Sequence, residues 1–191
     1  AIDQQQVFNE FSSGSQDPTA IRNLARMMYL RNPNFKYLLL FGDGSYDLRY
    51  INSKDPNQNF IVSYETDESL DPIQAFPSDD YFGLLDPGEG KNLAGKLDIN
   101  IGRLGARDSA EAKNLVDKII RYDTDPRMMG DWKLNTLYSA DDEDSNMHFT
   151  QAERISETAK KNYPIYNQEK IYLDAYEQIS TPGGERYPDV N

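Results

Sequence analysis

The sequence of 191 residues contains no cysteine and only one histidine, His148. The lack of cysteine excludes disulfides, zinc–thiolate sites and a cysteine nucleophile within these residues. The single histidine means that any complete Ser-His-Asp set of catalytic residues would have to use His148. The sequence also lacks a Gly-x-Ser-x-Gly motif and glycine-rich phosphate loops, so neither a serine-hydrolase elbow nor a nucleotide site is predicted.

Positive charge and long apolar runs are also scarce. The 20 Lys and Arg residues against 32 Asp and Glu residues give a formal net charge of -12, which repels phosphate backbones and anionic lipid headgroups. Nucleic-acid binding is therefore not expected. No stretch approaches the roughly 18 uninterrupted apolar residues of a membrane-spanning helix, so these residues are not expected to be embedded in a membrane.

Apolar periodicity predicts helices that alternate with strands. Helices are predicted after Asp17-Pro18, after the capping-box sequence that begins at Asp108, and after the acidic run 141–144. Strands are predicted at 37–41, 60–64, 81–85 (in a hairpin with 97–101), 134–138 and 171–173, and a last helix is expected to open at Tyr187-Pro188. The run at 37–41 is short and continuously apolar, which indicates a buried, parallel strand.

The order of these elements indicates an α/β fold, with a mostly parallel sheet covered by helices on both faces. A turn-rich segment around 123–131 predicts a boundary between two lobes, residues 1–125 and 131–191. Because a helix opens just where the sequence stops, the fold is expected to be an incomplete fragment.

Acidic residues follow two predicted strands, at the edge where binding groups of a parallel sheet collect. Asp43 lies in Gly42-Asp43-Gly44, which an ordinary turn also explains. Asp141 begins the second acidic run, where a carboxylate could orient a histidine supplied from elsewhere. A solvated loop beside a helix N-terminus explains the same acids, and the spacing alone does not choose between these interpretations.

Two other interpretations of the acidic residues are open. A calcium loop would use Asp142, Asp144, Asn146, His148, Thr150 and Glu153, but Met147 occupies the position that requires glycine. Calcium bound elsewhere as a structural ion stays open. An acid–base hydrolase would use Asp43, Asp79 or Asp80, although neighbouring residues in a strand point to opposite faces and so would not converge.

Several segments, taken in order, resemble the gingipain family of cysteine peptidases. They are 37–43, 78–83, 99–104, the helix that ends at Tyr122, Trp132 and 137–141. Within that family, Phe41-Gly42-Asp43-Gly44-Ser45-Tyr46-Asp47 and Pro77-Ser78-Asp79-Asp80-Tyr81-Phe82-Gly83 are most similar to the PorU-like sortases of the type IX secretion system. The resemblance covers residues 15–191.

The resemblance implies a caspase-like α/β catalytic domain with a Cys-His dyad that is assisted by an acidic residue. Asp141 matches that assisting carboxylate, and the dyad is expected beyond Asn191, so the fragment itself should be inactive. His148 matches a non-catalytic histidine of the arginine-specific members. Those members bind a basic side chain with an aspartate, and the corresponding residue here is Ser145, beside Asp144. Both are therefore candidate substrate-binding residues, and the resemblance leaves the substrate preference open.

For the parent protein the resemblance implies a cysteine endopeptidase or transpeptidase that removes C-terminal secretion signals and attaches cargo to the cell surface. Its partners would be proteins carrying such signals and other secretion-system components. Its location would be the cell surface or outer membrane of a Gram-negative bacterium, on the periplasmic or extracellular side. No cofactor is required, with calcium as an optional structural ion. The alternative is a non-catalytic, acidic α/β binding or scaffold module of a cell-surface assembly, with or without calcium.

Overall fold

The computed structural model describes residues 1–47, 51, 59–67, 75–141 and 144–190. The chain divides into two compact units, Ala1–Tyr122 and Asp123–Asn191. Both units combine helices with short strands, which confirms the predicted α/β class. Within these residues the strands form two parallel pairs and one antiparallel pair, each a separate two-stranded sheet. That these units are lobes of one catalytic domain stays a prediction.

Unit 1 contains two helices at its start. Helix α1 (Gln4–Phe11) was not predicted; it begins at Asp3, whose carboxylate accepts from the Gln5 N–H, and it buries Val7 and Phe8. Helix α2 (Pro18–Arg31) begins as predicted, because the Asp17 carboxylate accepts from the Thr19 N–H and proline suits the first helical position.

Strands β1 (Tyr37–Phe41) and β2 (Asn100–Leu104) of unit 1 pair in parallel. Leu40 is buried in a core cluster with Phe8, Ile21 and Phe82. Leu39, on the opposite face, is 58% exposed. The expectation of a fully buried β1 is therefore wrong, because helices cover only one face of this sheet within the described residues and alternate side chains point away from them.

The predicted strand at 60–64 does not form. Its backbone groups bind partners outside any strand ladder. The Val62 N–H donates to Gln4 Oε1, and the Ile61 N–H donates to the Asp43 carbonyl. The Arg103 guanidinium donates to the carbonyls of residues 61 and 62. With these groups already satisfied, β-branched residues alone do not make a strand.

The predicted hairpin of 81–85 with 97–101 is also wrong. Asp79–Gly83 is a 3₁₀ helix, because Ser78 Oγ accepts from the Asp80 N–H and starts a helical turn. The later segment enters the sheet only at Asn100, as β2 beside β1. Gly83 lies against this segment closely enough that a β-carbon there would come within 2.8 Å of Leu97 Cδ2.

Helix α3 (Ser109–Thr124) begins at the predicted cap and ends at the boundary between the units. The Asp108 carboxylate accepts from the N–H groups of Ala110 and Glu111. The Glu111 carboxylate reaches back to the Arg107 N–H, one residue earlier than in a standard capping box. The capping prediction is confirmed with this shift.

Unit 2 is built on β3 (Asn135–Ala140), α4 (Met147–Asn162) and β4 (Asn167–Tyr172). The two strands are parallel and in register from Asn135 opposite Asn167 to Ala140 opposite Tyr172, as the strand–helix–strand order predicts. Ser156 of α4 is buried and exchanges two hydrogen bonds of 2.9 Å with Gln168 of β4. This exchange holds the helix to the strand pair.

The end of unit 2 adds a hairpin that the sequence did not predict, β5 (Ile179–Thr181) and β6 (Gly184–Arg186), joined through Pro182-Gly183. The helix expected to open at Tyr187-Pro188 is a single 3₁₀ turn, Pro188–Val190. Other 3₁₀ turns are Lys91–Leu93, Pro126–Met128, Asp131–Leu134, Asp144–Asn146 and Leu173–Ala175. Among the described residues, none of the helices is long and apolar enough to cross a membrane.

Candidate active-site edge

Asp141 follows β3 directly and is exposed to solvent. Its side chain lines an open cavity of about 720 Å³ in unit 2, together with His148 and Gln151 of α4 and Leu173 just after β4. Because β3 and β4 are parallel, their carboxyl ends open at the same edge, where ligands of α/β sheets bind. The carboxylate therefore lies at a strand end beside a cavity and not in a closed core; its role in orienting a histidine stays a prediction.

His148 lies in the first turn of α4 and lines the same cavity. Its Nε2 atom is 3.4 Å from Asp144 Oδ2, and the two side chains are 45% and 66% exposed. The contact is an ion pair only when the imidazole is protonated, and water solvates both groups, so it contributes little to stability. The structure thus brings Asp141 and His148 to one cavity, a grouping that the sequence did not predict.

The backbone at Asp144, Ser145 and Asn146 is left-handed, with φ angles of 52°, 59° and 60°. Such angles cost free energy in residues that carry a β-carbon, and three in a row are unusual. Strained backbone of this kind concentrates at functional sites. Asp144 and Ser145, the candidate substrate-binding residues, are both exposed in this turn, and their contact with substrate stays a prediction.

The calcium loop considered for 142–153 does not form in its described part. Asp142 and the neighbouring Glu143 lie outside the described residues, but His148, Thr150 and Glu153 lie on α4. A continuous helix cannot wrap its side chains around an ion as a calcium loop does. Glu153 is also engaged, since its two carboxylate oxygens accept from Lys170 Nζ at 2.7 and 2.8 Å.

One group of carboxylates among the described residues could hold a metal ion: oxygens of Asp86, Glu89 and Asp98 lie within 4.8 Å of one another. Two of the three already accept backbone hydrogen bonds, Glu89 from Asp86 and Lys96, and Asp98 from Leu85. Acidic groups in this arrangement are common without an ion, so calcium as a structural ion stays a prediction.

A polar network ties α4 to the carboxyl end of β4, beside the cavity. Glu153 accepts from Lys170 and from the Tyr172 hydroxyl, and these hydrogen bonds lower the pKa of Glu153. Burial, followed by the hydrogen bond to Glu153, raises the pKa of Tyr172 to about 12. The Phe149 ring packs edge-on against Tyr172, with centroids 4.9 Å apart. Sequence reasoning missed this network because its members meet only in the folded unit.

The three carboxylates considered for acid–base hydrolysis do not form a catalytic pair. Asp79 accepts from Arg103 at 2.7 and 2.8 Å, so an ion pair already occupies it. Asp80, the next residue, is exposed. Asp43 follows β1 as predicted and lines a separate cavity in unit 1 that Asp79 also lines. An acid–base hydrolase built on these residues is therefore not supported.

Comparison with known proteins places the chain in a family. No curated protein and no solved structure matches it significantly. The sequence profile of peptidase family C25, however, matches the chain from residue 1 to residue 191. The α/β units described above agree with the fold expected of that family. The chain therefore belongs to peptidase family C25, the gingipain family.

Proposed function

We propose that this chain supplies the orienting carboxylate, Asp141, of a cysteine endopeptidase whose cysteine and catalytic histidine lie outside residues 1–191. Membership of family C25 implies a cysteine peptidase, yet these residues contain no cysteine. The thiolate nucleophile must then come from other residues of the parent protein. By this proposal residues 1–191 alone do not cleave peptides.

The observation that carries the proposal is the position of Asp141. It lies at the carboxyl end of β3, exposed beside the cavity that β4 and α4 also line. Within the described part of the chain no hydrogen bond or ion pair to its carboxylate is seen, so both oxygens can accept from an incoming donor. A carboxylate that accepts the Nδ1–H of an imidazole fixes the ring tautomer and stabilises the imidazolium that forms during catalysis.

The test is Asp141→Asn in the intact parent protein, with Asp174→Asn as the matched control because Asp174 is exposed in the 3₁₀ turn after β4. We expect kcat/KM for a peptide substrate to fall by about 10²- to 10⁴-fold for Asp141→Asn only. The alkaline limb of the pH–rate profile should also move to lower pH, because an imidazolium without its carboxylate loses its proton more readily.

Unchanged kcat/KM and an unchanged pH profile in Asp141→Asn would remove Asp141 from the mechanism. A parent protein that does not react with a thiol-directed inhibitor would instead favour the non-catalytic scaffold module. The inhibitor result therefore tests the peptidase, and the Asp141 result tests the assignment of the carboxylate.

The finer proposal is that the parent is a sortase-like transpeptidase that acts on proteins with C-terminal secretion signals. It would work with other secretion-system components at the surface of a Gram-negative bacterium. It is supported by the similarity of 41–47 and 77–83 to such sortases. The cysteine thiolate would attack the scissile carbonyl, the signal segment would leave as an amine, and the thioester would then pass its acyl group to water or to an acceptor amine, freeing the thiolate.

Product analysis separates the two activities. With a peptide substrate and added hydroxylamine, mass spectrometry should detect the acyl hydroxamate, in a share that rises with hydroxylamine concentration. Hydrolysis as the sole outcome at high hydroxylamine would contradict the transpeptidase and leave the peptidase intact.

A further inference from the structure

The amino ends of β3 and β4 form a second edge of unit 2, at the other end of the strands from Asp141. The strands are parallel and Asn135 pairs with Asn167, so the segments that enter them lie side by side. Helix α4 returns the chain to this end. We propose that this amino edge, residues 129–134 and 160–166, is a docking surface for an acidic, partly apolar peptide segment of a partner protein. The proposal does not depend on the role given to Asp141.

Large apolar side chains are exposed along the amino edge. In the turn before β4, Tyr163, Ile165 and Tyr166 are 62%, 66% and 41% exposed. In the segment before β3, Met129 and Trp132 are 68% and 51% exposed. Tryptophan, tyrosine and methionine are enriched in protein interfaces, and buried aromatic anchors carry much of the binding energy there. Several such side chains at one edge exceed the single exposed apolar residues that are normal on a surface, so the amino edge suits a protein partner.

The amino edge also differs in charge from the rest of the chain. It contains three lysines, Lys133, Lys160 and Lys161, against one acidic residue, Asp131, so its formal charge is +2 although the chain carries -12. Neither Lys160 nor Lys161 forms an ion pair with a described carboxylate. Local positive charge attracts an acidic partner, whereas the negative charge of the remaining surface repels an extended polyanion such as a nucleic acid or an anionic membrane. A short acidic peptide segment therefore fits best.

Hydrogen bonds hold the amino edge in one arrangement. Asn167 Nδ2 donates to Asn135 Oδ1 at 3.1 Å, which ties the starts of the two strands together. The Tyr166 N–H donates to the Tyr163 carbonyl at 3.2 Å and closes the turn before β4. Pro164 lies within this turn, and its ring fixes the φ angle there. A surface that is ordered before binding loses less conformational entropy when a partner binds.

The experiment measures binding of the fluorescein-labelled peptide Glu-Phe-Asp-Leu-Glu-Phe to the intact parent protein by fluorescence anisotropy. The protein is first treated with a thiol-directed inhibitor, so that it cannot cleave the probe. The control peptide has lysine at the three acidic positions and keeps the apolar side chains. We expect saturable binding of the acidic peptide, and binding about tenfold weaker for the lysine peptide. The affinity for the acidic peptide should also fall as salt is added, because salt screens exposed charges.

Matched variants locate the binding to the amino edge. Lys161→Glu reverses one charge of the edge, and its control is Lys118→Glu, which changes an exposed lysine of α3. Tyr163→Ser removes one aromatic ring, and its control is Tyr37→Ser, which changes a tyrosine of β1 that is also well exposed. We expect each change at the amino edge to weaken binding about three- to tenfold, and both controls to bind as the wild type does.

Equal binding of the two peptides, equal weakening in the controls, or no saturable change in anisotropy would overturn the proposal. Sedimentation of the protein without peptide tests a second copy of the chain as the occupant. A dimer that dissociates in Tyr163→Ser would assign the amino edge to contact between copies and would also overturn the proposal. The changed side chains are exposed, so the variants should fold, and circular dichroism of each one checks that a loss of binding is not a loss of folding.

Discussion

Replacing Arg103 with methionine tests the contact that organises unit 1. Arg103 projects from β2, and its guanidinium binds both Asp79 oxygens and the carbonyls of Gly42, Ile61 and Val62, at 2.7 to 3.2 Å. Methionine keeps much of the apolar stem and removes all five hydrogen bonds. The Asp79 carboxylate and three carbonyls are then left without this partner.

The expected loss of stability follows from burial. Breaking a fully buried ion pair costs about 3–5 kcal/mol. The Arg103 and Asp79 side chains are 17% and 29% exposed, so water recovers part of this loss, and we expect a decrease of about 2–3 kcal/mol in the free energy of unfolding. For a chain of this size that lowers the melting temperature by about 4–12 °C.

The assay is thermal unfolding followed by circular dichroism, and Arg107→Met is the matched control. Arg107 also binds a carboxylate, that of Glu111, but its side chain is 63% exposed. Water replaces such a pair at little cost, so the control should melt close to the wild type. If Arg103→Met has the same melting temperature as Arg107→Met, the proposed role of Arg103 in holding Asp79 and the three carbonyls is refuted.

Two further changes test packing and titration. Gly83→Ala should lower the free energy of unfolding, measured with urea, by about 1–3 kcal/mol, because an added methyl group meets neighbours at 2.8–3.1 Å. Gly102→Ala should not, since its nearest neighbour is 4.0 Å away; equal effects would contradict the packing argument. The folded-state pKa of Tyr172 is raised from 10.0 to about 12. The stabilisation that accompanies this raised pKa is therefore fully present below pH 10 and is lost as the pH rises towards 12. The urea midpoint should fall across that window more steeply in the wild type than in Tyr172→Phe, and parallel curves would count against the hydrogen bond to Glu153.

The helices were the most predictable part of the fold. Their caps and apolar spacing are local, so Asp17-Pro18 and Asp108 located the starts of α2 and α3 from sequence alone. The strands of α/β crossovers were predicted nearly as well, since a short apolar run between turns identifies β1 and β3. Helix α1 was missed although Val7, Phe8 and Phe11 have helical spacing, because a helix of eight residues with one such apolar set is a weak signal in sequence.

The strands predicted at 60–64 and 81–85 were wrong. Both segments are apolar, but Arg103 and Gln4, distant in sequence, bind the backbone groups of the first. Ser78 starts a helical turn in the second. Apolar composition predicts burial, whereas whether a segment forms a strand depends on which partners bind its backbone groups in the folded chain.

By itself, the sequence determined the α/β class, the absence of a thiol nucleophile, and the position of Asp141 after a strand, because these depend on composition and local pattern. Only the tertiary structure decided which side chains meet: Asp141 with His148 at one cavity, Glu153 with Lys170 and Tyr172, and Asp43 with Ser63 and Glu65 at the other. Contacts between residues far apart in the chain depend on how strands and helices pack, and no local pattern encodes that packing.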